Sequence, residues 1–256
     1  MNSKLKILIT GAAGNLGSKL RQHLNGRFPL VLLDRVVRTD PEVVACDLSQ
    51  WSDSWADLFQ GIDTVFHFAA DPEAYHAWPD LVAPNVDAMI HVYQAALKSG
   101  VRRFVFASSN HVMGGYQDAP GIRVTPDLPP RPGLRYVVDG QPRDSAAYGS
   151  AKLFGERLGK CYAKVHGLQV IAVRLGWVWR GGPNVPANLP RERGEWFRLM
   201  WLSDRDFCQL MERCLLADVP NAFVIVNGMS ANTGMAWDLD STCRTLGYQP
   251  QDDVAR

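Results

Sequence analysis

The sequence has no CxxC pair, no His or Cys spacing suited to a metal, no tract of five like charges and no internal repeat. It also has no apolar run that approaches the about 18 residues needed to cross a bilayer. Each absence removes a class of function. The five cysteines, Cys46, Cys161, Cys208, Cys214 and Cys243, are scattered through 256 residues, a chain long enough to need no covalent staples. They read as reduced thiols, which points to a cytoplasmic protein without a structural or catalytic metal. Lys plus Arg is 27 against 26 for Asp plus Glu, a net charge of +1, so neither nucleic acid nor an anionic membrane is an expected partner. The opening "MNSKLKILIT" turns directly into a strand-like run and carries no secretory pattern.

Short, nearly continuous apolar runs occupy residues 6–10, 30–34, 64–70, 103–109, 169–176 and 222–228. Strands buried on both faces look like this. Between most of them lie stretches of helical length, at 16–24, 52–60, 85–100 and 148–167, the last two ending in a basic residue or His and then Gly. Alternation of this kind predicts an α/β fold: a doubly wound, Rossmann-type parallel sheet with helices on both sides. The pattern divides the chain into a body over 1–176 and a small C-terminal lobe over 177–256, interleaved with the last strands. Two Pro-, Gly- and Arg-rich stretches, 117–145 and 177–203, are expected to be structured binding loops with little regular secondary structure.

After the first strand comes "TGAAGNLG", which sets Gly11, Gly14 and Gly17 ahead of a helix. A tight turn, close approach to a pyrophosphate and close helix packing each require glycine, and the helix N-terminus favours the negative charge. Asp34 ends the second strand, 17 positions past Gly17, where a carboxylate accepts from the adenosine ribose and repels a 2′-phosphate. NAD is therefore expected as cofactor; Arg35, beside the acid, leaves NADP as the lesser alternative. Asp47, in "CDLS", reads as a turn or capping residue on its own pattern.

At the carboxyl end of a later strand stand Ser108, Ser109, Asn110 and His111, and "YGSAK" places Tyr148 and Lys152 four residues apart on one helical face. A free tyrosine, with a pKa near 10, is a poor base at neutral pH. A nearby ammonium and a positive nicotinamide ring would favour its phenolate. His67, in an apolar strand, reads as a satisfied core histidine, and His76, His91 and His166 form no ligand set.

Together "TGAAGNLG", "FASSNH" and "YGSAK" resemble the extended short-chain dehydrogenase/reductase superfamily, the epimerase/dehydratase branch. Within it the chain is similar to the uronate dehydrogenases, through "GAAGNLG", "CDL", "FASSNH", "WLSDRDF" and the "SAN" turn at 230–232. The resemblance implies that Tyr148 is the catalytic base, Lys152 its partner on the nicotinamide ribose, and Ser109 the hydroxyl that polarises the substrate oxygen. It implies that Gly11, Asn15 and Leu16 line the pyrophosphate, Asp34 the ribose and Asp47 with Leu48 the adenine, while Phe68, Ala69 and Ala70 run beneath the cofactor. Asp71, Asn110 and His111 would meet the sugar.

The implied reaction is oxidation of a sugar at C1 to an aldonolactone. Two positions depart from the family pattern: Trp177 replaces a small serine, and the arginine that grips the uronate has no counterpart at its expected spacing. An Arg-rich loop with Arg191, Arg193 and Arg198 stands there instead. Arg193 and Arg198 are candidate contacts to a carboxylate, sulfonate or phosphate, and Trp177 is a candidate to stack on the sugar, although Trp179, Trp196 and Trp201 suit packing equally well. The expected substrate is thus an anionic aldose: a hexuronate, sulfo-sugar or sugar phosphate. A nucleotide-sugar epimerase or dehydratase with retained NAD and a non-catalytic dinucleotide sensor are the alternatives. By analogy with the superfamily the chain would form a homo-oligomer through the helices at 85–99 and 148–164.

Overall fold

The structure is a computed structural model that describes residues 5–37, 40–138 and 140–256. Strand β1 (Ile7–Thr10) shows why the chain must cover its sheet twice: Ile7 and Ile9 enter one core and Leu8 the opposite one, all without exposure. From β1 the chain passes through α1 (Asn15–Leu24) and runs outward along β2 (Leu30–Asp34) and β3 (Val43–Ala45). It returns by α2 (Asp53–Ala56) to β4 (Thr64–His67), on the other side of β1. A helical run then joins α3 (Trp78–Val82), a π turn at Ala83–Asp87 and α4 (Ala88–Lys98). This run starts earlier than its apolar spacing suggests, with Pro79 in the first turn, where a missing N–H breaks no helical bond.

After β5 (Arg103–Ser109) a hairpin of β6 (Arg135–Val138) and β7 (Gln141–Asp144) leads into α5 (Ala146–His166) and β8 (Gln169–Leu175). The chain ends with α6 (Gly194–Leu199), α7 (Asp204–Leu216), β9 (Phe223–Gly228) and α8 (Asp240–Leu246). Seven strands form one parallel sheet in the order β3-β2-β1-β4-β5-β8-β9, the doubly wound arrangement expected. Strand order reverses between β1 and β4, and at such a point ligands bind beyond the carboxyl ends. One face is packed by Leu20 of α1 with Phe207 and Leu210 of α7, the other by Met89 and Tyr93 of α4 with Ala163 of α5.

Three features differ from the sequence pattern. The 117–145 stretch contains the β6–β7 hairpin, which closes at the Val138–Gln141 pair beside Gly140, whose φ of +73° suits a tight turn. In α7 the Ser203 side chain accepts the Asp206 N–H at 3.0 Å, and Asp204 and Asp206 lie in the first turn, so the helix has a strong start. At its other end buried Arg103 donates to the carbonyls of Cys214, Leu215 and Ala217. Finally, the C-terminal lobe shares its packing with segments before residue 176. Its core joins Val112, Met113, Tyr116 and Leu134 to Phe197, Met200 and Trp237, while β9 belongs to the main sheet.

Candidate active site

A cleft of about 590 Å3 follows the carboxyl edge of the sheet from the loop after β1 to the loops after β8. Its first wall is the glycine loop. Gly11 has φ +69°, and a Cβ there would lie 2.7 Å from Ala69 N. A Cβ on Gly17 would run into Gly11 O and stand 2.7 Å from Ala12 Cα, so only glycine lets α1 start this close to the turn. The N-terminus of α1 carries no side-chain cap and no acid in its first turn, which leaves its N–H groups for an anion. These features suit a pyrophosphate.

Asp34 is aimed by the same loop, its carboxylate accepting Ala13 N–H at 2.9 Å and Val36 N–H at 3.1 Å. Gly14, Asn15, Leu16, Asp47, Leu48 and Arg35 also face the cleft, and Asn15 Nδ2 donates to Val178 O at 3.2 Å. The Asp47 carboxylate accepts both the N–H and the hydroxyl of Ser49, the turn role its local pattern suggested, and with Arg35 nearby these bonds hold it below the usual carboxylate range. Phe68, Ala69 and Ala70 form part of the wall beneath, where Ala69 N–H donates to Thr10 Oγ1 at 3.2 Å. That hydroxyl also meets His67 Nδ1 at 2.8 Å, so His67 is a satisfied core residue, and burial pushes it down to about 3.

Farther along, Ser109, Tyr148 and Lys152 converge on one stretch of wall. Their alignment comes from how α5 seats on the sheet. A Cβ at Gly149 would lie 2.5 Å from His111 O, so the first turn of α5 packs directly on the turn after β5. Two turns beyond Tyr148, Glu156 pairs with Arg174 of β8 through bonds of 2.8 and 2.8 Å and accepts the Ser108 hydroxyl at 2.6 Å. Both ions are 1% exposed, so the pair is a buried anchor whose breakage would strand a charge. Burial pushes the Tyr148 phenol up to about 12, offset in part by the adjacent Ser109 hydroxyl and by the Arg180 charge. Lys152 Nζ lies 5.7 Å from the Tyr148 ring centre, donates to Ala107 O at 2.9 Å, and is itself pushed down to about 8 by burial.

The far end of the cleft is walled by Asn110, His111, Trp177 and Arg193, joined by Tyr136 of β6, Phe197 of α6 and Arg180. Arg193 has no carboxylate within ion-pairing distance among the described residues; its guanidinium stacks 5.2 Å from the Tyr136 ring centre and 6.0 Å from that of Phe197. Arg180, by contrast, is paired with Glu73 across the mouth. Trp177 packs edge-on against Trp179 and Phe197.

Two residues assigned from the sequence lie outside this wall. Arg198 is not part of the cleft wall and donates to Val254 O at 3.0 Å; it lies in α6, whereas Arg193 ends the separate turn before that helix. Asp71 is not part of the wall either: its carboxylate accepts Glu73 N–H at 2.9 Å and meets His76 Nδ1 at 2.8 Å within its own loop. Trp196 and Trp201 also lie off the cleft, Trp196 in a second hollow and Trp201 with its indole N–H on Asn184. Tyr136, Arg180 and Phe197 escaped the sequence reading; the Asp139–Gly140 hairpin signal would have marked a strand at Tyr136 but not its direction.

Among the described residues no group of three His, Cys, Asp or Glu side chains is placed to hold a metal, and no helix is long and apolar enough to cross a membrane. L-arabinose 1-dehydrogenase (NAD(P)(+)) of Haloferax volcanii is 34% identical over 98% of this chain and 98% of its own. NAD-dependent glucose-6-phosphate dehydrogenase of the same organism is 34% identical over 97% of this chain and 94% of its own. The crystal structure of glucuronic acid dehydrogenase from Chromohalobacter salexigens superposes with a TM-score of 0.81 at 31% identity, covering 98% of this chain and 86% of that one. Residues 7–179 match the NAD dependent epimerase/dehydratase family, and to that family the chain belongs.

Proposed function

We propose that the protein is an NAD-dependent sugar 1-dehydrogenase that oxidises an anionic aldose, a hexuronate, sulfo-sugar or sugar phosphate, to the aldonolactone. One observation carries the reading: Ser109, Tyr148 and Lys152 share the cleft wall with Arg193, a cation that faces aromatic rings and no carboxylate. The three relatives named above act, by name, on a neutral pentose, a sugar phosphate and a uronic acid, so the sugar-oxidising chemistry is common to them and the anionic group is what varies.

In this reading the glycine loop and the α1 N-terminus hold the pyrophosphate, and Asp34 takes the adenosine ribose of NAD in preference to NADP. When bound, NAD+ supplies the acceptor for the C1 hydride. Ser109 Oγ donates to the C1 oxygen, and the Tyr148 phenolate takes the proton of the C1 hydroxyl as the carbonyl forms. Because burial holds the phenol at about 12, this base needs positive charge beside it, from the Lys152 ammonium and the oxidised cofactor. The rate rises with pH as the phenol ionises. Arg193 holds the anionic group at the other end of the sugar. A cytoplasmic location and a homo-oligomer paired through α4 and α5 belong to the same proposal; α5 carries exposed Phe154 and Val165.

The test is a panel of uronates, sulfo-sugars, sugar phosphates and neutral aldoses followed by NADH absorbance. Reduction of NAD+ with an anionic member is the expected result, and no reduction across the panel sinks the proposal.

A further inference from the structure

Ser145 joins the catalytic helix to the sugar end of the cleft. It is fully buried at the N-terminus of α5, three residues before Tyr148. Its Oγ accepts the Leu134 N–H at 2.9 Å and lies 2.6 Å from His111 Nδ1. A hydroxyl has one proton to place. Were Nδ1 protonated, Oγ would receive two donors, and its own proton would have only Leu134 O, at 3.5 Å, which already accepts the Ser145 N–H at 3.1 Å. With Nδ1 bare, every group is satisfied: Leu134 N–H donates to Oγ, and the Ser145 hydroxyl donates to the imidazole.

Burial and the Arg193 charge push His111 down to about 4, so the ring is neutral under ordinary conditions. A neutral imidazole that accepts at Nδ1 carries its proton on Nε2. His111 forms part of the cleft wall, edge-on to Tyr148 with ring centres 5.4 Å apart, and its Nε2 has no hydrogen-bond partner among the described residues.

We propose that Ser145 is a positioning residue that fixes His111 as the Nε2–H tautomer, so that the imidazole meets the substrate only as a hydrogen-bond donor to an oxygen near the carbon oxidised beside Tyr148. The site then accepts a hydroxyl or ring oxygen at that place. It discriminates against a deoxy sugar, which leaves the donor unmatched, and against an amino sugar, whose ammonium has no lone pair. The selectivity rests on the sugar-dehydrogenase reading; the tautomer does not.

The experiment has two arms. In the full-length protein labelled with 15N-histidine, long-range proton–nitrogen correlation spectra at neutral pH, with signals identified through His111→Gln, are expected to show Nε2–H at His111. An Nδ1–H tautomer in the wild-type protein overturns the proposal, whether or not any sugar is oxidised. In kinetics, Ser145→Ala is expected to raise the sugar KM about tenfold and to mix the tautomers, with the NAD Kd within about twofold of wild type and Ser145→Thr restoring both. An unchanged sugar KM in folded Ser145→Ala, or a Ser145→Thr protein that restores stability but not KM, also overturns it. If Ser145→Ala fails to fold, the wild-type spectrum and the Ser145→Thr protein still decide the matter. Failure of every sugar to react removes the proposed function and leaves the spectroscopic arm intact.

Discussion

At the nucleotide end of the cleft the groups that face a ligand are mostly backbone: the N–H groups that open α1, the peptide at Ala69 packed on Gly11, and a carboxylate held in place by Ala13 N–H. At the sugar end they are side chains, Tyr136, His111, Trp177, Arg180 and Arg193, drawn from a hairpin, a turn and a long loop. A backbone cradle depends on a few local residues and tolerates change elsewhere. A wall of side chains can be rebuilt loop by loop while the chemistry between the two ends stays in place. Relatives with 34% identity over nearly the whole chain that are named for a pentose and for a sugar phosphate fit that division.

The contrast can be broken most sharply at the join between the two ends. Tyr148→Phe is expected to lower turnover by about a thousandfold or more while the NAD Kd, followed by tryptophan fluorescence, stays within about twofold. Substantial remaining turnover would deny the phenol its place in proton transfer. At the sugar end, Arg193→Met is expected to raise KM for an anionic sugar by about 10- to 100-fold without changing NAD affinity or the rate with a neutral aldose. An equal loss with neutral sugars would make Arg193 a packing residue on Tyr136 and Phe197. At the nucleotide end, Asp34→Ala is expected to shift the NADP-to-NAD preference by about tenfold with the sugar KM unchanged; a fixed cofactor ratio would take the ribose away from Asp34.

The smallest effect concerns acid stability. His67 under the nucleotide end is held at about 3 and His111 at the sugar end at about 4, both below the ordinary value of 6.5. The unfolded chain therefore binds more protons than the native one between those values. The stability contributed by the neutral rings is present above about pH 6.5 and is lost as pH falls toward 3 or 4, by up to about 1.4 kcal/mol per pH unit for each histidine. A thermal melting series from pH 7 to pH 5 is expected to show Tm falling by about 2–4 °C per pH unit for each histidine, with His111→Gln removing one share of the slope. A slope unchanged in that variant would mean that His111 titrates normally.

Much of the nucleotide end was legible because each signal is local. Gly11, Gly14 and Gly17 lie within one turn between strand and helix, Asp34 ends the next strand, and Tyr148 and Lys152 share a helical face by spacing alone. The sugar end was not, because it depends on which way loops fold back. Arg193 ends a short turn and Arg198 lies in α6, with Gly194 at φ +82° between them, so spacing does not say which of the two lines the cleft. The packing of Phe197 beneath Arg193 and the Arg198 bond to Val254 O choose which. Asp71 directly follows Phe68, Ala69 and Ala70 of the cleft wall, yet His76 and Glu73 take its carboxylate into its own loop. Ser145 reads as an ordinary helix start until His111 and Leu134, distant in sequence, close around its hydroxyl.

By itself the sequence determined the doubly wound sheet, the glycine loop after β1 and the spacing of the Ser, Tyr and Lys that line the cleft. Strand and helix periods and the steric needs of glycine act between near neighbours, and the chain cannot satisfy them in another way. The tertiary structure alone decided which arginine lines the cleft, which tyrosine joins it and which groups surround His111 Nδ1. Those outcomes turn on contacts between residues far apart in the chain, and no short stretch of sequence contains both partners.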